Sequence, residues 1–229
     1  MRPLQSSLIL LIAGITLCFG QSTALAIVVF DNGVQSKSGG FLSDVDASVR
    51  FADDFTLAAP ELVNAIRFWG FYSPTDTPPA TDAFNVVFYA NSGGLPNGSS
   101  VIASYNVGNP GRTDTGDDTD GGGLNIYVYD ATFADHTFPA GHYWVSVYNN
   151  TSGDANDNWA WARHALPGND ARSLDGGATW LHEFSDSELA FQLIQVPEPS
   201  TIALALVALG GLQLIAARTR ARCSTQLIR

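Results

Sequence analysis

Carboxylates are the densest chemistry in this chain of 229 residues. The run Asp114-Thr115-Gly116-Asp117-Asp118-Thr119-Asp120-Gly121-Gly122-Gly123 sets Asp114, Asp117, Asp118 and Asp120 close together among glycines that permit tight curvature. Oxygen ligands spaced this way can surround a hard cation, so structural calcium is the candidate cofactor. A second cluster, Asp154, Asn156, Asp157 and Asn158, offers the same chemistry. Neither is an EF-hand. With Asp118, Asp120 and Gly121 in register, the first ligand would be Gly116 and the last Tyr127. The alternative for both clusters is a solvated acidic loop.

Aromatic rings are the second resource. Trp159 and Trp161 lie two apart, hence on one face of a strand. Trp180 and Tyr148 can join them. A row of exposed rings is how binding modules stack against sugars. The competing use is core packing, because Trp and Tyr bury large areas.

Catalysis finds little support. His136, His142, His164 and His182 stand in no HExxH spacing. There is no Gly-x-Ser-x-Gly elbow. Glu183 and Glu188 offer a carboxylate pair for glycoside hydrolysis, but nothing singles them out among the many acids. No catalytic residue is assigned, and the chain reads as non-catalytic.

The elements that must position these groups are strands. Ile27-Val28-Val29-Phe30 is stopped by the turn signal Asp31-Asn32-Gly33. Residues 34–46 read as a loop. Strands are predicted over 48–57, 62–72, 84–89, 101–107, 124–133, 142–148, 159–164 and 189–195, most with period-two patterning. Leu62, Ile66 and Phe68 share one predicted face. Leu124, Ile126 and Val128 are expected inward, with Tyr127 and Tyr129 on the other side. No stretch between 27 and 195 keeps a helical period. The pattern predicts an all-β domain, a β-sandwich of jelly-roll type, with a closed barrel as the alternative.

The two ends differ from this middle. Arg2 is a short positive region, Leu8 to Leu17 is apolar, and Ala24-Leu25-Ala26 supplies small residues at the positions a signal peptidase reads. Residues 1–26 therefore read as a secretory signal peptide. Leu17 before Cys18 argues against a lipoprotein. At the other end, Val196-Pro197-Glu198-Pro199-Ser200 precedes the uncharged run Ile202 to Ala217 and the basic residues Arg218, Arg220 and Arg222. Sixteen helical residues reach about 24 Å. That is short for a hydrocarbon core of about 30 Å, but workable with local thinning. Trailing arginines place the C-terminus on the cytoplasmic side and the bulk of the chain outside.

From Asp31 to Glu198 lie six basic and all twenty-two acidic side chains, a net charge of −16. Such a surface repels nucleic acid and attracts cations. Both cysteines, Cys18 and Cys223, belong to the end segments. The domain 27–195 must hold itself by its core or by bound metal.

The tail resembles the PEP-CTERM sorting signal. The matching positions are Pro197, Glu198 and Pro199, the apolar run 202–217, and the arginines 218–222. The resemblance implies recognition by exosortase, a membrane enzyme that cuts near the motif and passes the protein outward. The extension Cys223 to Arg229 is longer than such tails usually run. The resemblance implies a Gram-negative-type bacterium, export across the inner membrane and a transient membrane anchor. It further implies a final location at the cell surface or in the extracellular matrix, in association with exopolysaccharide. The middle is similar to jelly-roll domains of exported bacterial proteins without assigned activity. The similarity rests on Ala52-Asp53-Asp54-Phe55, Ile66 to Tyr72, Ser92 to Pro96, Trp159 to Ala162, Asp175 to Trp180 and Leu189 to Leu193. Two further functions stay open: a carbohydrate-binding module using Trp159, Trp161 or Trp180, and a polysaccharide-acting hydrolase.

Overall fold

In the computed structural model the described residues are 25–153, 156–183 and 187–197. They carry fourteen strands and no helix. In chain order these are β1 (Ile27–Asp31), β2 (Gly40–Leu42), β3 (Arg50–Leu57), β4 (Glu61–Ser73), β5 (Phe84–Ser92), β6 (Leu95–Gly108) and β7 (Arg112–Asp118). They continue with β8 (Asn125–Phe138), β9 (Gly141–Tyr148), β10 (Asn158–His164), β11 (Asp170–Ser173), β12 (Leu181–His182), β13 (Glu188–Leu189) and β14 (Phe191–Gln195). The compact unit Ala26–Val196 contains all of them.

Two antiparallel sheets divide the strands. One runs β12-β11-β3-β9-β5-β6. The other is built on β4, with β8 and then β7 on one edge. On the opposite edge, β10 pairs with residues 70–73 and β14 with residues 65–68. The chain turns at Ala190, whose N–H donates to Ala162 O at 2.9 Å, so that β13 follows β10 and β14 follows β4. β1 completes the edge beside β14.

Alternation explains the layer between the sheets. Phe51, Phe55 and Leu57 of β3, Phe84, Val86 and Phe88 of β5, and Val145 and Val147 of β9 all point inward. They meet Ile66, Phe68 and Tyr72 of β4, Tyr129 of β8, Trp159 and Trp161 of β10, and Phe191 and Leu193 of β14. The rings interlock edge to face: Phe84 lies 5.0 Å from Trp159 and 5.1 Å from Phe68. Burying each large side chain contributes about 1.5–3 kcal/mol. Gly70 makes room for this packing, since a Cβ there would lie 2.5 Å from the Trp159 indole.

Two inward assignments change. A bulge at Asn64 shifts the alternation of β4, so Val63 and Ile66 both reach the core while Leu62 does not. On β8, Tyr127 and Tyr129 face the inter-sheet core. Leu124, Ile126 and Val128 instead join Trp69, Phe71, Ala160 and Ala162 in a second apolar cluster. Both faces of this sheet are apolar over that stretch, so period two alone could not tell inside from outside. Among the described residues no helix is long and apolar enough to cross a membrane. The segment Ile202–Ala217, the arginines Arg218, Arg220 and Arg222, Glu198 to Ser200, and residues 1–24 of the signal peptide lie outside the described residues.

Candidate functional site

Asp53 occupies an apolar position. It sits on β3 between Phe51 and Phe55, with the same inward parity, and is fully buried. Its Oδ2 accepts the Leu189 N–H from the facing sheet, and its Oδ1 accepts the Asp54 N–H at 2.7 Å. Asn32, just after β1, points its amide nitrogen into the same place. Nδ2 lies 3.2 Å from Asp53 Oδ2, 2.5 Å from Glu188 Oε2 and 2.9 Å from Leu189 O. Carboxylate oxygens of Asp53, Asp54 and Glu188 all fall within 4.8 Å of one another. Asp54 is half-buried, and its Oδ2 is 2.7 Å from His142 Nε2. The backbone of the preceding loop presses onto Glu188, since a Cβ on Gly168 would overlap Oε1 at 1.3 Å.

Loss of hydration pushes the Asp53 carboxyl well above the usual range, and the Glu188 charge pushes it further. Burial also raises Glu188, against the opposing pull of its Asn32 hydrogen bond. Raised carboxyls this close can share one proton between them. The bond from the Leu189 N–H to Asp53 ties β3 of one sheet to β13 of the other.

The donor set fits a proton better than a cation. Calcium takes six to eight oxygens, whereas Asn32 turns a nitrogen donor to two of the three acids. Substrate access is also closed at Asp53. A cavity of about 310 Å³ is lined by Ser36, Ser38, Arg163, His164, Ala165 and Ser187, the residue before Glu188. Ser187 Oγ itself donates to the buried Asp170 Oδ2.

The acids singled out by spacing go elsewhere. Asp114, Asp117 and Asp118 belong to β7, a strand where a loop was expected, and neighbouring side chains on a strand point to opposite faces. Asp114 Oδ1 accepts the Gly116 N–H at 2.8 Å. Asp117 pairs with Lys37 Nζ at 2.5 Å and accepts from Gln35 at 2.9 Å. Asp118 lies opposite Asn125, and Asp120 N–H donates to Lys37 O. Among the described residues, the acids whose oxygens fall within 4.8 Å of one another do not include these four. In the second cluster, Asp154 lies outside the described residues. Asp157 is buried and accepts from the backbone and hydroxyl of both Thr75 and Thr77, at 2.6 to 3.0 Å. It clamps the loop after β4, and those bonds lower its pKa against the opposing effect of burial.

The tryptophans also move to structural duty. Trp159 and Trp161 are fully buried, and Trp180 is 6% exposed. Trp161 Nε1 donates to Ala190 O at 3.0 Å, and Trp180 Nε1 donates to Gly177 O at 3.0 Å. Trp180 packs on Tyr89 at 5.3 Å, outside the six-stranded sheet. A sugar-stacking face made of these three rings is therefore not formed. The two glutamates take different partners: Glu183 is 3.0 Å from Arg172 Nε, while Glu188 joins Asp53 and Asp54.

A second buried polar group anchors the loop between β4 and β5. The Tyr72 hydroxyl donates to Asp82 Oδ1, Arg112 Nη1 lies 3.0 Å from Asp82 Oδ2, and Asn149 Nδ2 donates to Asp82 Oδ1 at 3.0 Å. Spacing could not reveal this group or the Asp53 cluster, since their members come from distant strands. The available signal was parity: Asp53 falls within the inward stripe Phe51-Phe55-Leu57.

No family model matches the chain, and no curated protein matches it significantly. Among solved structures, the chain is similar to the cysteine protease and lectin-like domains of Cwp84, a surface layer associated protein of Clostridium difficile. The identity is 12% and the TM-score 0.42, over 64% of this chain and 31% of that one.

Proposed function

We propose that this is an exported, non-catalytic surface or extracellular-matrix protein, sorted by an exosortase through its C-terminal tail and associated with exopolysaccharide. The observation that carries it is the order of three signals: Val196 to Ser200, the apolar run 202–217, then Arg218, Arg220 and Arg222. The fold supports it in one respect. Ile27 stands directly opposite Gln195, so the two segments to be processed leave the folded unit from adjacent points of one edge. All fourteen strands lie between those points. In this reading signal peptidase frees Ile27, the tail holds the chain briefly in the inner membrane with its C-terminus cytoplasmic, and processing releases a β-sandwich of jelly-roll type. The three rings of the sugar-binding alternative are buried, and the glutamates of the hydrolase alternative have other partners, Glu183 beside Arg172 and Glu188 beside Asn32.

The test is the triple substitution Pro197→Ala, Glu198→Ala, Pro199→Ala in cells that possess an exosortase. The variant remains uncut in the membrane fraction while the parent matures. A variant that matures and leaves the membrane like the parent makes the tail an ordinary anchor.

A further inference from the structure

The bulge of β8 opposite Asn64 gives that β4 side chain a task beyond sheet building. Asn64 stands alone where β8 supplies Phe133, Ala134 and Asp135. It is 7% exposed. Its amide holds Val196 by both backbone groups: the Val196 N–H donates to Oδ1 at 2.7 Å, and Nδ2 donates to Val196 O at 2.8 Å. The remaining Nδ2 hydrogen goes to Asp135 Oδ1 at 3.0 Å. An ionised carboxylate only accepts, so Asp135 fixes which way the amide points. Val196 lies one residue beyond β14 and one before Pro197.

Enzymes that cut or transfer a chain hold it extended and pair with its backbone. From Phe191 to Ile194 that backbone is already paired with β4, and Gln195 lies opposite Ile27 of β1. At Val196 the Asn64 amide takes both groups. Pro197 has no N–H to offer. We propose that Asn64 is a positioning residue that closes the domain at Val196, so that the processing enzyme engages the tail only beyond that point. This rests on the sorting reading above. The cut breaks one backbone C–N bond. The acyl carbon passes to water or to an acceptor hydroxyl or amine, and the departing amine takes up the proton.

Two measurements on the full chain test it. In cells with an exosortase, intact mass of the mature protein gives a single C-terminus beyond Val196 for the parent. Asn64→Ala gives scattered ends, a fraction of them at or before Val196. Asn64→Asp scatters them further, because its second oxygen faces both Asp135 and the Val196 carbonyl. On the full-length chain in detergent, the Val196 amide exchanges about tenfold faster in Asn64→Ala, while the core amides of β4 and β8 stay protected. If Asn64→Ala does not accumulate, Asp135→Ala, on an exposed side chain, frees the amide to turn and scatters the ends to a lesser degree. Identical single ends in the parent and the Asn64 variants overturn the clamp and leave the sorting reading standing. Unchanged Val196 exchange also overturns the clamp. A parent chain that is never cut defeats the sorting reading and, with it, this role for Asn64.

Discussion

Asp53 and Asp117 are both aspartates on β-strands, and folding moves their acidity in opposite directions. Asp53 is enclosed between the sheets beside Glu188, and its carboxyl rises well above the usual range. Asp117 lies in the acid-rich run, exposed, with Lys37 and Gln35 on its oxygens, and its carboxyl falls. Among the described residues the dense run of acids forms no common centre, while Asp53 and Asp54 converge with the distant Glu188. Charge density along a sequence is a property of the surface. A site requires convergence, and convergence is decided by strand order.

The largest effect expected from this contrast is at Asp53. Asp53→Ala leaves the Leu189 N–H without its acceptor and opens a polar gap beside Glu188 in a closed space, a loss of about 3 kcal/mol. For a domain of this size that lowers the melting temperature by about 6–12 °C. Asp53→Asn keeps an acceptor for Leu189 and offers Glu188 a donor, so it stays within about 1 kcal/mol of the parent. The pair separates further with pH. A carboxyl whose folded pKa is raised contributes stability that is complete below its unfolded value, about 4, and lost as pH rises through the folded value. The parent therefore loses stability as pH rises above about 4, and Asp53→Asn lacks that loss. Parallel melting curves for the two proteins across that range would contradict the shared proton.

The opposite sign holds for Asp157, Asp117 and Asp175. Asp175 is held down to about 2 by the Thr179 hydroxyl and backbone and by Ser173. Lowered carboxyls lose their contribution as pH falls below about 4 through their folded values. At the exposed Lys37–Asp117 pair, Lys37→Ala changes the melting temperature far less than Asp53→Ala does, and added salt reduces the difference. A change as large as that of Asp53→Ala would erase the contrast between interior and surface.

The smallest effect concerns calcium. Asp114, Asp117 and Asp157 already have protein partners, and Asn32 turns a donor into the buried trio. Melting curves with calcium and with chelator should coincide. A ligand at about 100 times its dissociation constant adds roughly 2.7 kcal/mol, so a calcium-dependent rise of several degrees would show that these acids rearrange around an ion.

Much of the architecture was legible from alternation. The strands 84–89 and 142–148 fall inside β5 and β9. The short strands β2, β11 and β12 were not legible. They add three, four and two residues to edges that already existed, so neighbours rather than pattern decide them. β7 was hidden by its aspartates and glycines, which signal turns but here pair with β8. The bulge of β8 opposite Asn64 was invisible because two extra residues leave no compositional mark. The tryptophans show the limit of side-chain type: spacing put Trp159 and Trp161 on one face, and the strand order made that face the core. For the Asp53 cluster, an acid in an apolar stripe was the available sign, and its partners Asn32 and Glu188 come from opposite ends of the domain.

The central claim is that a folded domain is delivered outside the cell and parted from both of its end segments. Intact mass and amino-terminal sequencing of the exported protein test it most directly. The predicted product begins at Ile27 and lacks the run 202–217 with the arginines that follow. An exported chain that still begins at Met1 and retains Arg218 to Arg222 would contradict the account.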